Sequence, residues 1–184
     1  MAIPDRRVCF DFFRPSSTLA QWIEAHFEKR VRPNYMQIFE HATLTAEFIP
    51  QAPWNSRRST GLKASYDKWI KNIQNQSTIY HDTHCSTFTP KSFELLITDA
   101  HFLGMSPFQI FDISKTEGNE FHVHLRNVGC DGLKIDENEE AHVAKRQRLL
   151  SDLAQEPQYI LPPEPEPKRK PKLRHKIKAW IRGR

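Results

Sequence analysis

The chain has 184 residues, 38% of them hydrophobic and 27% charged, with a mean hydropathy of −0.66. That length supports one domain with a core plus an extension, no apolar run approaches the ~20 residues of a membrane-spanning helix, and Met1 to Asp5 lacks the basic-then-apolar order of a secretory signal. The net charge of +5 is local: residues 1–128 carry 14 basic and 13 acidic side chains, residues 129–167 carry 4 and 9, and residues 168–184 carry 9 and none.

The first segment, Ile3 to Arg14, mixes apolar and charged residues and stops at Pro15. Ser16, Ser17 and Thr18 offer N-caps to a helix over about Leu19–Lys29, with Leu19, Ile23 and Phe27 on its apolar side. Pro33 separates it from a second amphipathic helix over Tyr35–Glu47, whose Met36, Phe39 and Leu44 are assigned to the buried face. Pro50 and Pro53 bracket an irregular stretch, and helical spacing returns with Tyr66, Trp69, Ile70 and Ile73. Thr89-Pro90 is an N-cap followed by proline at the first helical position; Phe93, Leu96, Ile97 and Ala100 form one face, and Gly104 ends the helix. Phe108 to Ile113 reads as a strand, Lys115 to Asn119 as a turn, and Glu120 to Arg126 as an alternating, antiparallel strand.

Beyond Val128 the composition turns acidic, with a short helix expected over His142–Leu153 and a Pro/Glu/Lys linker over Pro157–Pro171. Residues 168–184 form a basic amphipathic tail, with Leu173, Ile177, Trp180 and Ile181 on one helical face. The C-terminal tail is expected to be largely disordered and the linker extended. The tail suits an anionic membrane surface or an acidic partner, the chain's own acidic segment included, although a solvated tail explains it equally. The balanced charge of residues 1–128 argues against a specific nucleic-acid groove. Cys9, Cys85 and Cys130 are odd in number and widely spaced, which fits reduced thiols in a cytoplasmic protein, with the tail allowing peripheral membrane contact.

Three phrases carry a family resemblance. They are Ile3-Pro4-Asp5-Arg6-Arg7-Val8-Cys9-Phe10-Asp11-Phe12-Phe13-Arg14-Pro15-Ser16-Ser17-Thr18, then Asp82-Thr83-His84-Cys85-Ser86-Thr87-Phe88-Thr89-Pro90-Lys91-Ser92-Phe93, and finally Gly118-Asn119-Glu120-Phe121-His122-Val123-His124-Leu125-Arg126. Residues 2–128 resemble the C-terminal portion of class I S-adenosylmethionine-dependent methyltransferases, in a bacterial subgroup. The resemblance implies an α/β fold in which this chain supplies an incomplete sheet, strands five, seven and six. Residues 15–80 would be a helical insertion covering the methyl acceptor. A Gly-rich loop for the cofactor is missing, since no glycine precedes Gly61 and no G-x-G occurs. The implied function is the acceptor side of a methyltransferase, inactive alone and binding no S-adenosylmethionine by itself. A companion chain would complete the sheet, or the chain would self-associate through the open edge. The competing reading is a non-enzymatic module that binds a protein or an anionic membrane through its insertion helices and tail.

Candidate site residues follow from the ends of the strands. Asp5, Arg6, Arg7, Asp11 and Arg14 lie just after the first strand, where acceptor contacts belong in an α/β sheet. The arginines could hold an anionic acceptor and Asp11 could serve as base or orient a hydroxyl; a solvated loop with Asp–Arg pairing is the plainer reading. His81 and Asp82 form a candidate general-base pair, with His84 as a substrate contact, against a polar loop that merely precedes the Thr89 helix. No third and fourth metal ligand is evident beside them, and no metal is assigned. His122 and His124 share a face with Glu120 and Arg126 and read as the polar side of an edge strand.

Overall fold

A computed structural model describes residues 1–46, 61–74, 80–129 and 139–160. The elements in order are β1 (Ala2–Pro4), α1 (Leu19–Phe27), α2 (Tyr35–Leu44), α3 (Leu62–Gln74), α4 (Pro90–Phe102), β2 (Phe108–Ile113), β3 (Glu120–Asn127) and α5 (Glu139–Gln155). The fold is mixed α/β, with five helices and one three-stranded sheet among the described residues.

The sheet order is β1-β3-β2, and β3 runs antiparallel to both neighbours. The strand expected at an edge is therefore the central one. Its alternation reports one buried and one exposed face, and that pattern is the same in a central strand covered on one side only. Phe121 and Val123 are fully buried, while His122, His124 and Arg126 face outward. Arg126 lies over the exposed Phe111 ring at 4.5 Å. A tight turn joins β2 to β3, and Gly118 there takes φ +64, a conformation that costs other residues.

α4 covers the inner face of the sheet. Its start is fixed by a reciprocal cap, in which the Thr89 amide donates to Ser92 Oγ (2.8 Å) and the Ser92 amide to Thr89 Oγ (3.2 Å). Gly104, at φ +71, follows its end. Phe93, Leu96 and Ile97 meet Ile3, Phe88, Phe121 and Val123 in the main core, and each fully buried large side chain contributes about 1.5–3 kcal/mol.

β1 is short but firmly registered. Met1 and Val123 exchange hydrogen bonds at 2.8 and 2.9 Å, and Asp5 N–H donates to Asn119. By alternation, Ala2 and Pro4 turn their backbone groups to the other side, where the described residues place only the parallel Asp5–Phe88 bridge, with the Arg6 N–H on the Phe88 carbonyl (2.9 Å).

The insertion packs less tightly than its apolar periodicity suggests. In α1 no residue is buried; Leu19 touches the core, but Phe27 is 78% exposed. In α2 Met36 is exposed rather than inward, and the helix ends at Leu44. α2 and α3 hold each other through Phe39 against Trp69 (5.1 Å), the Trp69 indole N–H on the Tyr35 carbonyl (2.7 Å) and the Ser65 hydroxyl on the Ala42 carbonyl (3.1 Å).

The helix expected over His142–Leu153 is longer, and the segment does more than link. α5 lies along α4, with Arg146 on Asp99 (2.9 Å) and the His142 ring stacked on Phe102 at 3.7 Å. Just beyond it, Glu156 accepts from Thr89 Oγ (2.5 Å) and pairs with Arg7 (3.2 Å), and Tyr159 rests on Phe12. The Pro-rich part from residue 161 and the basic tail lie outside the described residues. Among the described residues no helix is long and apolar enough to cross a membrane.

Candidate functional site

The chain leaves β1 into a tight loop, residues 5–14, that is buried rather than solvated. Asp5 is 0% exposed and receives the Arg7 backbone N–H (3.0 Å), Arg7 Nε (2.9 Å), Arg7 Nη2 (2.6 Å) and Thr116 Oγ1 (2.5 Å). Arg6 donates to Ser16 Oγ at 2.9 Å and to the Phe12 carbonyl at 3.5 Å. Burial pulls the Arg6 pKa down, opposed mainly by Tyr159 and Asp5. For Arg7, burial is outweighed by Asp5 and then Glu156, so its pKa is raised. The three residues Asp5, Arg6 and Arg7 are thus spent on fixing the loop. Cys9, in the same turn, is buried, and burial pushes its thiol up to about 11.

Asp11 stands at the far side of this loop and is 1% exposed. One carboxylate oxygen receives Arg14 Nη1 (2.9 Å); the other meets His84 Nδ1 at 2.6 Å. Arg14 also faces Glu40 at 3.8 Å, and its buried Nε has no partner in the structure. The His84 side chain is 41% exposed and leans on Phe10, ring centres 4.7 Å apart. An Nδ1–H donating to a carboxylate leaves the ring's lone pair on Nε2, so Asp11 both orients His84 and selects the tautomer that can accept a proton.

The candidate residues therefore assemble differently from their spacing. His81 and Asp82 are neighbours in sequence, but His81 Nε2 meets Asn72 Nδ2 at 3.4 Å and Asp82 is exposed. The close His–Asp pair is His84 with Asp11. His81 and Asp82 instead line a cavity of about 350 Å³, together with Ile38, His41, Ala42, Ser65, Lys68, Trp69, Asn72 and Thr83.

His41 is the functional candidate that the sequence did not single out. It lies on α2, 6.4 Å from His84 between ring centres, and its Nδ1 is buried without a partner. Burial lowers its pKa, Arg14 lowers it further, and Asp11 offsets part of this, so His41 is neutral near pH 7. A lone histidine inside an amphipathic helix carries no local signal; its partners arrive from the loop after β1 and from residues 82–84. No cluster of three metal-ligating side chains occurs among the described residues. No family model, curated protein or solved structure matches the chain.

Proposed function

We propose that this chain is the acceptor-side part of a methyltransferase of the class I, S-adenosylmethionine-dependent type, inactive alone. The observation that carries the reading is the strand order. β3 lies antiparallel between β1 and β2, with α4 in the connection from β1 to β2. That is the arrangement of strands five, seven and six in the resembled family. The three insertion helices leave from, and return to, the carboxyl end of β1, where such sheets place their ligands.

A sulfonium cofactor does not fit the residues described. Binding it needs a glycine loop between a strand and a helix N-terminus. β1 is followed instead by the buried Asp5–Arg7 loop, and no glycine occurs before Gly61. The cofactor side would come from another segment or a companion chain, joining the edge of β1 opposite β3, where Asp5 alone is bridged, to Phe88. What this chain supplies is proton handling: His84 Nε2 takes the proton from an acceptor hydroxyl, and Asp11, with Arg14 beside it, holds the imidazolium that forms.

The test is methyl transfer by the tagged chain recovered from its native cells with whatever assembles on it. Label from methyl-labelled S-adenosylmethionine is followed in the wild type, His84→Ala and Asp11→Asn. Transfer is expected to fall by about 10²–10⁴-fold in His84→Ala, the usual contribution of a general base. Transfer untouched by both substitutions, or absent from the wild-type assembly, refutes the reading.

A second reading rests on a different observation. Trp22, Phe27, Val31, Tyr35 and Met36 are all exposed along α1, α2 and their connection. Such a row fits a protein-binding surface, and an interaction module would keep it while losing nothing on substitution of His84.

A further inference from the structure

If the chain is the acceptor side, the nature of the acceptor is the next question, and the cavity between α2, α3 and residues 81–83 bears on it. An anionic acceptor requires free cations. Arg6 and Arg7 are buried in the loop and engaged, and Arg14 is held by Asp11 and Glu40. Among the described residues the lining carries one formal positive charge, Lys68, and one formal negative charge, Asp82, so it has no net charge. The remaining polar groups are Ser65, Asn72, Thr83, His81 and His41, and burial and Arg14 keep His41 neutral near pH 7.

This wall offers donors and acceptors in mixture. The Ser65 hydroxyl hydrogen is committed to the Ala42 carbonyl, so its oxygen is left to accept; Asn72 presents both kinds of group, and Asp82 accepts. A ligand group that donates and accepts at one atom suits such a lining better than a carboxylate or an ammonium does. The aromatic side is rigid, because Trp69 is pinned through its indole N–H and its contact with Phe39. A flat, fixed indole takes the C–H face of a small saturated ring with little loss of side-chain freedom. The volume of about 350 Å³ lies at the small end of ligand pockets, which run from about 300 to 1,000 Å³.

We propose that this cavity binds a neutral, polyhydroxylated ring of the monosaccharide class, with Trp69 as the platform and Ser65, Asn72 and Asp82 reading its hydroxyls. The proposal rests on the acceptor-side reading for the meaning of the ligand, as the methyl acceptor, but not for its binding. His41 lines the cavity, and its ring centre lies 6.4 Å from that of His84.

The test is a titration of the isotope-labelled full chain, followed through the Trp69 indole and Asn72 amide signals. The probes are glucose, galactose and rhamnose, with glucuronate and glucose 6-phosphate as anionic counterparts. Saturable shifts with at least one neutral sugar are expected, weaker with both anions. Asn72→Ala and Asp82→Ala are each expected to weaken binding by about two- to tenfold, the worth of one hydrogen bond. Asp82 is exposed, so its replacement leaves the fold intact even if a Trp69→Ala chain does not fold. Tighter binding of an anionic probe than of its neutral parent overturns the proposal, as does no saturable response to any neutral sugar. Sugar binding that survives alongside methyl transfer indifferent to His84 would sink the acceptor-side reading alone; transfer to a non-sugar acceptor would sink this proposal alone.

Discussion

Replacing Asp5 with alanine is the most demanding test of the loop that shapes the site. The carboxylate is 0% exposed and takes hydrogen bonds from the Arg7 backbone, the Arg7 guanidinium and Thr116. Its removal leaves Arg7, 6% exposed, with Glu156 at 3.2 Å as its remaining charge partner. Breaking a buried pair from one side costs about 3–5 kcal/mol, because a desolvated charge is left behind. In a chain of this size each kcal/mol lowers Tm by roughly 2–4 °C, so a fall of about 6–20 °C is expected. Urea unfolding followed by far-ultraviolet circular dichroism gives the free energy directly. The double variant Asp5→Ala/Arg7→Met removes the orphaned charge and should recover part of the loss. A cost below about 1 kcal/mol for Asp5→Ala, or a double variant less stable than the single one, refutes the account of this loop as a buried electrostatic clamp.

Further expectations concern single groups. His41 has its pKa lowered from 6.5 in the folded chain, so the unfolded chain binds the proton first and stability falls as pH drops through about 6.5. Tm measured from pH 8 to pH 5 should show that loss, and His41→Phe should flatten it; an unchanged profile would mean that the group is not desolvated. Cys85 is exposed and Cys9 buried with its thiol raised to about 11, so a thiol reagent at pH 8 should label Cys85 in native protein and Cys9 only after denaturation, as located by mass spectrometry. Thr89→Ala deletes the α4 cap and the Glu156 contact together, and a loss of about 1–2 kcal/mol in urea unfolding is expected. Thr89→Ser keeps the hydroxyl and should lose less than half of that.

What could be read from the sequence was what is locally encoded. Thr89-Pro90 and Gly104 delimit α4 because caps and left-handed turns act within a few residues. The alternation of β3 separates Phe121 and Val123 from His122 and His124 for the same reason. Whether that strand is central depends on β1, three residues long and over a hundred positions away, and no local pattern reports it. The His84–Asp11 contact spans 73 positions, whereas His81 and Asp82, adjacent in sequence, are drawn to the α3 side of the cavity and to solvent. Arg6, Arg7 and Arg14 read as solvated charges because an arginine is usually exposed; their burial follows only once Asp5, Asp11, Glu40 and Glu156 converge on them. Periodicity alone also over-assigned Phe27 and Met36 to a buried face, since an apolar stripe says nothing of whether a neighbour covers it.

The pairing of β1 with β3 has a consequence for synthesis on the ribosome. The hydrogen bonds that seat Met1 and Ile3 come from residues 121–123, so β1 lacks its antiparallel partner until that late segment has left the ribosome. At about 5–20 residues per second this wait is roughly 6–24 s. Throughout it β1 is without its sheet neighbour while α1 to α4 are being made, so the strand order is completed only after those helices.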